Sequence, residues 1–192
     1  MVVAAVFIIV FMSIAFYVAQ LQADLNRSAV IERAANLSEA VAAFRTLYTS
    51  EVVQRLKGSE VLITHDYKEH AGAIPLPATL SMQLGKQFAS SIEGLNARLY
   101  SPYPFPWRRA EGGLKSDFDV AAWLALNNDP DTPYYRVESS SAGLHLRYAV
   151  ADRLRAACVN CHNTHPDTPK ADWKEGDVRG VQIGRASRRE RV

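Results

Sequence analysis

The chain has 192 residues, 48% of them hydrophobic and 22% charged, with two cysteines and a formal net charge of +2. This composition excludes a disordered chain and a disulfide-stapled miniprotein, and it fits one globular domain joined to an apolar segment. The positive balance sits in the last ten residues, where Arg185, Arg188, Arg189 and Arg191 against Glu190 make +3 and leave −1 for the rest. It bears on partners only if that tail is a real basic one, juxtamembrane or nucleic-acid-binding, and otherwise gives no ground for a nucleic-acid partner.

From Val2 to Ala23 there is no charged residue. As a helix this run is about 30 Å long, enough to cross the hydrocarbon core of a bilayer. Neither a basic flank before it nor a small-x-small cleavage site after it is clear, so residues 1–23 read as a membrane anchor rather than a cleaved signal. The missing basic flank also suggests that Met1 is not the natural start, and it leaves the orientation unread. Beyond Asp24 no Pro or Gly occurs until Gly58, and Leu37, Val41, Phe44, Tyr48 and Val52 recur at three- and four-residue steps. The steps predict an apolar stripe on a long helix continuous with the anchor. Core packing explains each residue of the stripe taken alone. A helix continuous with a span is still a mechanical link between domain and membrane, and a surface on which a homodimer could form.

In "AIPLPATL" (Ala73 to Leu80) the two prolines bar a helix and predict an extended wall segment. Thr79 is then the expected cap of a helix that carries Leu80, Leu84, Phe88, Ile92 and Leu95 on one face. "YSPYPFPWRR" (Tyr100 to Arg109) is too apolar for a solvated linker and is expected to line a pocket or fold onto the core. Ser116 to Asp119 resembles a capping box that opens a helix through Leu126, which "NNDPDTP" ends. "YYRVE" and "LHLRYAV" read as strands separated by the turn-prone "SSSAG". No internal repeat, Walker motif, Gly-rich phosphate loop or Ser-His-Asp order is visible, and no catalytic constellation. The architecture expected is α+β, a small antiparallel sheet flanked by helices after a long N-terminal helix.

"RAACVNCHNTHP" (residues 155–166) holds both cysteines and two of the five histidines. In a c-type cytochrome the two thiols of C-x-x-C add to the two vinyl groups of haem, and the following histidine binds the iron. Cys158 and Cys161 are then the attachment residues of one covalent haem c, with His162 the proximal ligand. Three other readings compete. Zinc on Cys158, Cys161, His162 and His165 has suitable ligand types, but adjacent Cys161 and His162 strain to reach one tetrahedral ion. A thioredoxin-like dithiol normally follows a strand at a helix start, whereas this motif follows the polar "ADRLRA". A structural disulfide is strained across so short a loop. Covalent haem accounts best for the pattern. Because haem c is attached outside the cytoplasmic membrane, residues after Ala23 are expected in the periplasm or an equivalent space.

The blocks "AIPLPATLSMQLG", "LYSPYPFPWRR", "LRYAVADRL" and "CVNCHNTHPDTPKADWKEGDVRGV", in this order, resemble the single-haem, c-type PAS-like sensor domain, a family long filed as a domain of unknown function. The resemblance runs from about Asn26 to Val181. It implies a periplasmic PAS-like antiparallel sheet flanked by helices, one covalent haem on Cys158 and Cys161, and His162 as proximal ligand. Such domains often precede a nucleotide cyclase or a histidine kinase, and some stand alone. One type in the family has a cysteine as the other axial ligand, and this chain has no third cysteine.

The sixth iron position is therefore argued from His65, His70, His145, His165 and Met82. His165 lies three residues past the proximal ligand and is badly placed to reach the opposite face. His145, between Leu144 and Leu146 on a strand, points away from the face those leucines pack on. His65 and His70 lead into "AIPLPATL", and His65 is preferred as the metal ligand, although the plainer reading of each histidine is a solvated or hydrogen-bonded ring. An open position, free to take a diatomic gas, is the other alternative. Arg108 and Arg109 are candidates to pair with a haem propionate, against the plainer reading of a solvated pair. Trp107, Trp123 and Trp173 read as core packing, with Trp173 close enough to the motif to meet the ring edge.

"IGRASRRERV" (Ile183 to Val192) resembles a translated sequencing adapter, with Arg188 where that peptide has cysteine. The domain is accordingly expected over residues 24–182, with 183–192 a non-native tail in place of a missing output domain. Two functional classes follow. One is a redox- or gas-sensing input module of a signal-transduction protein. The other is a membrane-anchored monohaem cytochrome for electron transfer with a redox partner.

Overall fold

In the computed structural model residues 2–92, 94–140 and 143–188 are described. The stretch without Pro or Gly forms one 47-residue helix, α1 (Val2–Tyr48). Its first part is exposed along its whole circumference and has a mean hydropathy of 2.8 over 18 residues, long and apolar enough to cross a membrane. A membrane span and a signal sequence share that character.

The second part of α1 lies on the protein. Val30, Ala34, Leu37, Ser38, Val41 and Arg45 are buried, and Thr49 continues the row at the next turn. The expected stripe overlaps this one only at Leu37 and Val41. Phe44 and Tyr48 are half-buried at its border, with ring centroids 6.4 Å apart. The true stripe is rich in small residues because the helix approaches its support closely.

That support is a four-stranded antiparallel sheet of β3 (Leu95–Tyr100), β4 (Tyr134–Ser140), β5 (Gly143–Arg153) and β6 (Val178–Arg188), in the order β3-β6-β5-β4. Alternation along β6 divides it between two layers. Val181 and Ile183 face α4 (Asp117–Asn128), which follows the single-turn α3 (Arg109–Gly112), and form a core with Phe118, Ala122, Leu126, Tyr100 and Ala149. Gln182 and Gly184 face α1, which together with α2 (Pro77–Ser91) covers the other side. The fold is thus α+β, with helices on both faces of the sheet and the long helix in front, as expected.

Gly184 marks the closest approach. A Cβ there would lie 2.4 Å from the Ala34 carbonyl oxygen and 2.4 Å from the Ser38 hydroxyl. Gly184→Val is expected to force α1 off the sheet at a cost of about 1–3 kcal/mol or more. Urea denaturation in detergent would read it as a lowered midpoint, and an unchanged midpoint would show that the helix can slide.

Several boundaries differ from expectation. α2 opens at Pro77 after Leu76, with no side-chain cap, because proline is pre-set for the first helical position. Thr79 is therefore inside the helix, and the extended segment stops at Leu76 after β2 (Ile74–Pro75), which pairs in parallel with β1 (Ile63–Thr64). α2 ends at Ser91, so Leu95 opens β3 instead of extending the helix face. Ser116 does cap α4, accepting from the Asp119 amide at 3.3 Å. The two expected strands lie within β4 and β5, and Ser141 and Ala142 of the turn between them fall outside the described residues. The stretch Ile183–Arg188, read as the start of a tail, continues β6 between β3 and β5, while residues 189–192 lie outside the described residues.

Beneath α4 sits a buried ion cluster. Asp119, fully buried, accepts from Arg98 Nη2 at 2.5 Å, Arg147 Nη2 at 3.1 Å and the Lys115 amide at 2.9 Å. Burial alone would raise its carboxyl, but the Arg98 and Lys115 hydrogen bonds and the Arg98 charge hold it below the usual carboxylate range.

Candidate functional site

Where β5 ends and β6 begins, the sheet opens onto a cavity of about 370 Å³. Its walls come from the end of α1, from Leu99 to Ser101 of β3 and beyond, from the Pro104 to Arg108 loop, and from the helix that carries the cysteines.

The α1 wall is built by a change of helix type. After Tyr48 the helix widens to a π-helical turn, Thr49–Val53, in which the Gln54 amide reaches the Thr49 carbonyl at 3.0 Å. The Thr49 hydroxyl donates to the Arg45 carbonyl at 2.7 Å, a side-chain intrusion of the kind that disturbs helix pairing. Arg45, Thr49 and Val53 line the cavity as a result. The buried Arg45 guanidinium forms an ion pair with Asp152 of β5 and donates to Gln182 Oε1 of β6 at 3.3 Å.

The cysteine helix, α5 (Ala156–Thr164), starts after the extended Arg155. Cys158 and Cys161 lie one turn apart, and they line the cavity together with His162. α5 is fixed from outside. Asn163 exchanges two hydrogen bonds with the Trp173 backbone, at 2.9 and 3.0 Å, and Arg155 donates to Thr46 on α1. Trp173, read as core packing, is buried as expected.

The His162 ring packs 5.6 Å from Phe105, and its Nδ1 accepts from Arg179 Nε at 3.2 Å. Burial first, and the Arg179 charge second, push its pKa down to about 4. At neutral pH it is therefore an uncharged imidazole, and because Nδ1 accepts from Arg179 the ring proton sits on Nε2. Holding a metal through Nε2 requires that this bond open and the proton move to Nδ1. A ring neutral in the fold and protonated when unfolded binds fewer protons than the unfolded chain below about pH 6.5. The metal-free chain is expected to lose stability as the pH falls from about 6.5 to about 4. His162→Asn should flatten that segment of a midpoint-versus-pH curve, a segment that lies above the range in which Asp119 titrates.

Arg179 reaches this position through a bulge. The β5–β6 register slips by one between Asp152 and Arg153, which pair with Gly180 and Val178, and Arg179 is the extra residue. Bulges re-aim side chains near sites. Here the arginine turns onto His162 and donates through Nη1 to Ser101 Oγ at 2.6 Å.

The candidate sixth ligands scatter. Met82 and His165 line the cavity. His65 is one ring removed from it, stacked 4.1 Å on Trp107, which does line the wall. His70 is exposed beside Asp66, with 3.3 Å between Nε2 and Oδ2. His145 sits seven residues up β5 from Asp152, about 23 Å away along the strand. Of the two arginines in the aromatic loop, Arg108 lines the cavity and Arg109 is exposed.

The competing readings of the cysteines fare unequally. Among the described residues no three His, Cys, Asp or Glu side chains converge to hold a metal ion, so the zinc set is not assembled. The objection to a dithiol fails in part, because β5 runs to Arg153 and the motif does follow a strand at a helix start. Both cysteines are free thiols. Although Cys161 stays exposed overall, desolvation on its cavity side, followed by the Cys158 thiol, pushes its pKa up, away from the lowered values of redox-active pairs.

Arg45, Asp152 and Arg179 are the site residues that sequence reasoning missed. Arg45 left one signal, a charge standing in register with an apolar stripe at a four-residue step from Val41. Arg179 left none, since its position depends on a bulge.

The model of the Tll0287-like family matches residues 22–186, a span that includes all four sequence blocks quoted above. No curated protein matches the chain. A solved structure, described as the crystal structure of the cyanobacterial heme-protein Tll0287, is similar over 88% of this chain and 98% of its own, at 16% identity and a TM-score of 0.55. With a family match over most of its length and a matching fold, the chain belongs to the Tll0287-like family.

Proposed function

We propose that this chain is a membrane-anchored domain outside the cytoplasmic membrane that carries one covalent haem c and serves as a redox- or gas-sensing input module. Two thiols one helical turn apart and a neutral imidazole beside them, all on the wall of one cavity, fit haem c. The cation-rich wall suits its propionates, and the similar fold described above is that of a protein named as a heme-protein. When bound, haem would supply an iron able to change oxidation state and to take a small ligand. Cys158 and Cys161 would hold the group covalently, and His162 would give the iron its proximal ligand. Phe105 and Trp107 would exclude water from one side.

The observation that carries the sensor reading is the position of Arg45 and Thr49. They line the same cavity as the cysteine helix, yet they belong to the helix whose first part is apolar enough for a membrane. A change in the cavity therefore bears directly on α1. Exposure of Cys161 supports the second reading, electron transfer, since an exposed edge admits a redox partner.

Expressed with a cytochrome-maturation system in the periplasm, the chain is expected to keep its Soret absorbance through extraction in acid acetone. Cys158→Ala with Cys161→Ala should lose it. Colour that extracts from the wild-type chain, or that persists in the double variant, refutes covalent attachment.

A further inference from the structure

We propose that Arg108 and Arg179 form a clamp for two carboxylates of the cofactor, holding its acidic edge against the end of β3. The proposal rests on the haem reading above and assigns the orientation that reading leaves open.

Among the described residues the cavity wall carries six cationic side chains and one carboxylate, Asp152. Asp152 is taken by Arg45, Arg153 pairs with Asp131 at 2.9 Å, Arg155 donates to Thr46, and Lys57 is exposed. Arg108 and Arg179 remain. Both are partly buried. Among the described residues Arg179 forms no ion pair, and its guanidinium donates only through Nε to His162 and through Nη1 to Ser101. Among the described residues the acidic partner of Arg108 is the exposed Glu111, 3.7 Å away and beyond hydrogen-bonding distance. A charge taken from water without a counter-charge is costly, and the Phe105 and Trp173 rings, 5.7 and 5.4 Å from the Arg179 guanidinium carbon, offset only part of that cost, so an anion belongs here.

The two side chains are also spaced. Arg108 Nη2 donates to the Leu99 carbonyl at 3.3 Å, and Arg179 Nη1 to the Ser101 hydroxyl at 2.6 Å. Leu99 and Ser101 are two residues apart along the chain, about 7 Å in extended backbone. The Ser101 hydroxyl in turn donates to the Arg179 carbonyl at 2.6 Å, so serine and arginine fix each other. Two guanidinium forks anchored at points that far apart on one strand end, each able to grip a carboxylate by two parallel bonds, suit a porphyrin with two propionates on one edge. Neither a lone carboxylate nor a neutral ring system would use both.

The test compares free haem with its dimethyl ester, which lacks both carboxylates, on the chain with Cys158→Ala and Cys161→Ala. Haem is expected to bind at least about tenfold tighter than the ester, the effect of one charged hydrogen bond or more. Adding Arg108→Gln and Arg179→Gln together should bring the ratio near one. Equal affinities in the parent, or a ratio that survives both substitutions, overturns the clamp. Should that background bind neither porphyrin, resonance Raman spectra of the covalent holoprotein decide. The propionate bending band should shift in Arg179→Gln and return in Arg179→Lys while the axial-ligand bands stay. A shift in the axial bands alone overturns the clamp and leaves Arg179 as an orienting residue for His162. A wild-type chain that carries no covalent haem defeats the haem reading, whereas intact haem with an unmoved propionate band defeats the clamp only.

Discussion

Asp119→Ala is expected to cost about 3–5 kcal/mol, a large fraction of the stability of a domain of this size. The carboxylate is fully buried and bridges Arg98 and Arg147, whose guanidinium carbons also lie 4.6 Å from the Tyr100 ring and 4.2 Å from the Phe118 ring. Removing it leaves two partly buried positive charges without a counter-charge, held by neutral groups such as the Gly113 carbonyl and the Ser116 hydroxyl. Because its pKa in the fold is depressed, its contribution is fully present above the unfolded carboxylate value near 4 and is lost as the pH falls further. Chemical denaturation at pH 7 and at pH 3 separates the cases: a large loss at pH 7 that narrows at pH 3 is expected. Replacing all three residues by apolar ones of similar volume should recover much of the loss, since the penalty comes from charges left unpaired. A single Asp119→Ala chain as stable as wild type would show that water reaches the arginines.

The contrast between this cluster and the haem-type motif explains what the sequence discloses. Cys158, Cys161 and His162 are legible because their chemistry is local, one turn of one helix. The Ser116 cap and the strand pair β4–β5 are legible for the same reason, since alternation and capping act over a few residues. The long helix is legible from an absence of Pro and Gly, but its buried face is not. Periodicity marks Phe44 and Tyr48 because they are large, whereas the sheet selects Ala34 and Ser38 because Gly184 lets the backbones meet. β6 escapes detection because "VRGVQIGRASR" mixes glycines and charges that only the bulge and the close helix contact explain. Arg179, Arg45 and Asp152 come together over more than a hundred residues of chain, and no spacing rule reaches that far.

The largest functional effect is expected at the junction of α1 and the cavity. If the chain is a sensor, reduction or ligand binding must favour one of two arrangements of α1, because a ligand shifts an equilibrium only through differential affinity. Links that tie the helix to the cavity walls include the largely buried ion pair of Arg45 with Asp152 and the bond from Arg155, just before the cysteine helix, to Thr46. A useful switch needs several kcal/mol between states, and breaking a buried ion pair supplies energy on that scale. Amide hydrogen exchange over residues 24–56 is therefore expected to differ between ferric, ferrous and CO-treated ferrous protein, with the change centred on Arg45 to Val53. Asp152→Asn, which leaves the cysteines and His162 in place, should abolish most of that difference while the Soret band persists. An electron carrier behaves otherwise, since it keeps one structure in both oxidation states to limit reorganisation. Identical protection in all three states, together with fast electron exchange with a small soluble cytochrome, would sink the sensor reading. It would also recast the Arg45–Asp152 pair as a strut that keeps the cavity rigid, and Asp152→Asn would then slow electron exchange without altering which state is protected.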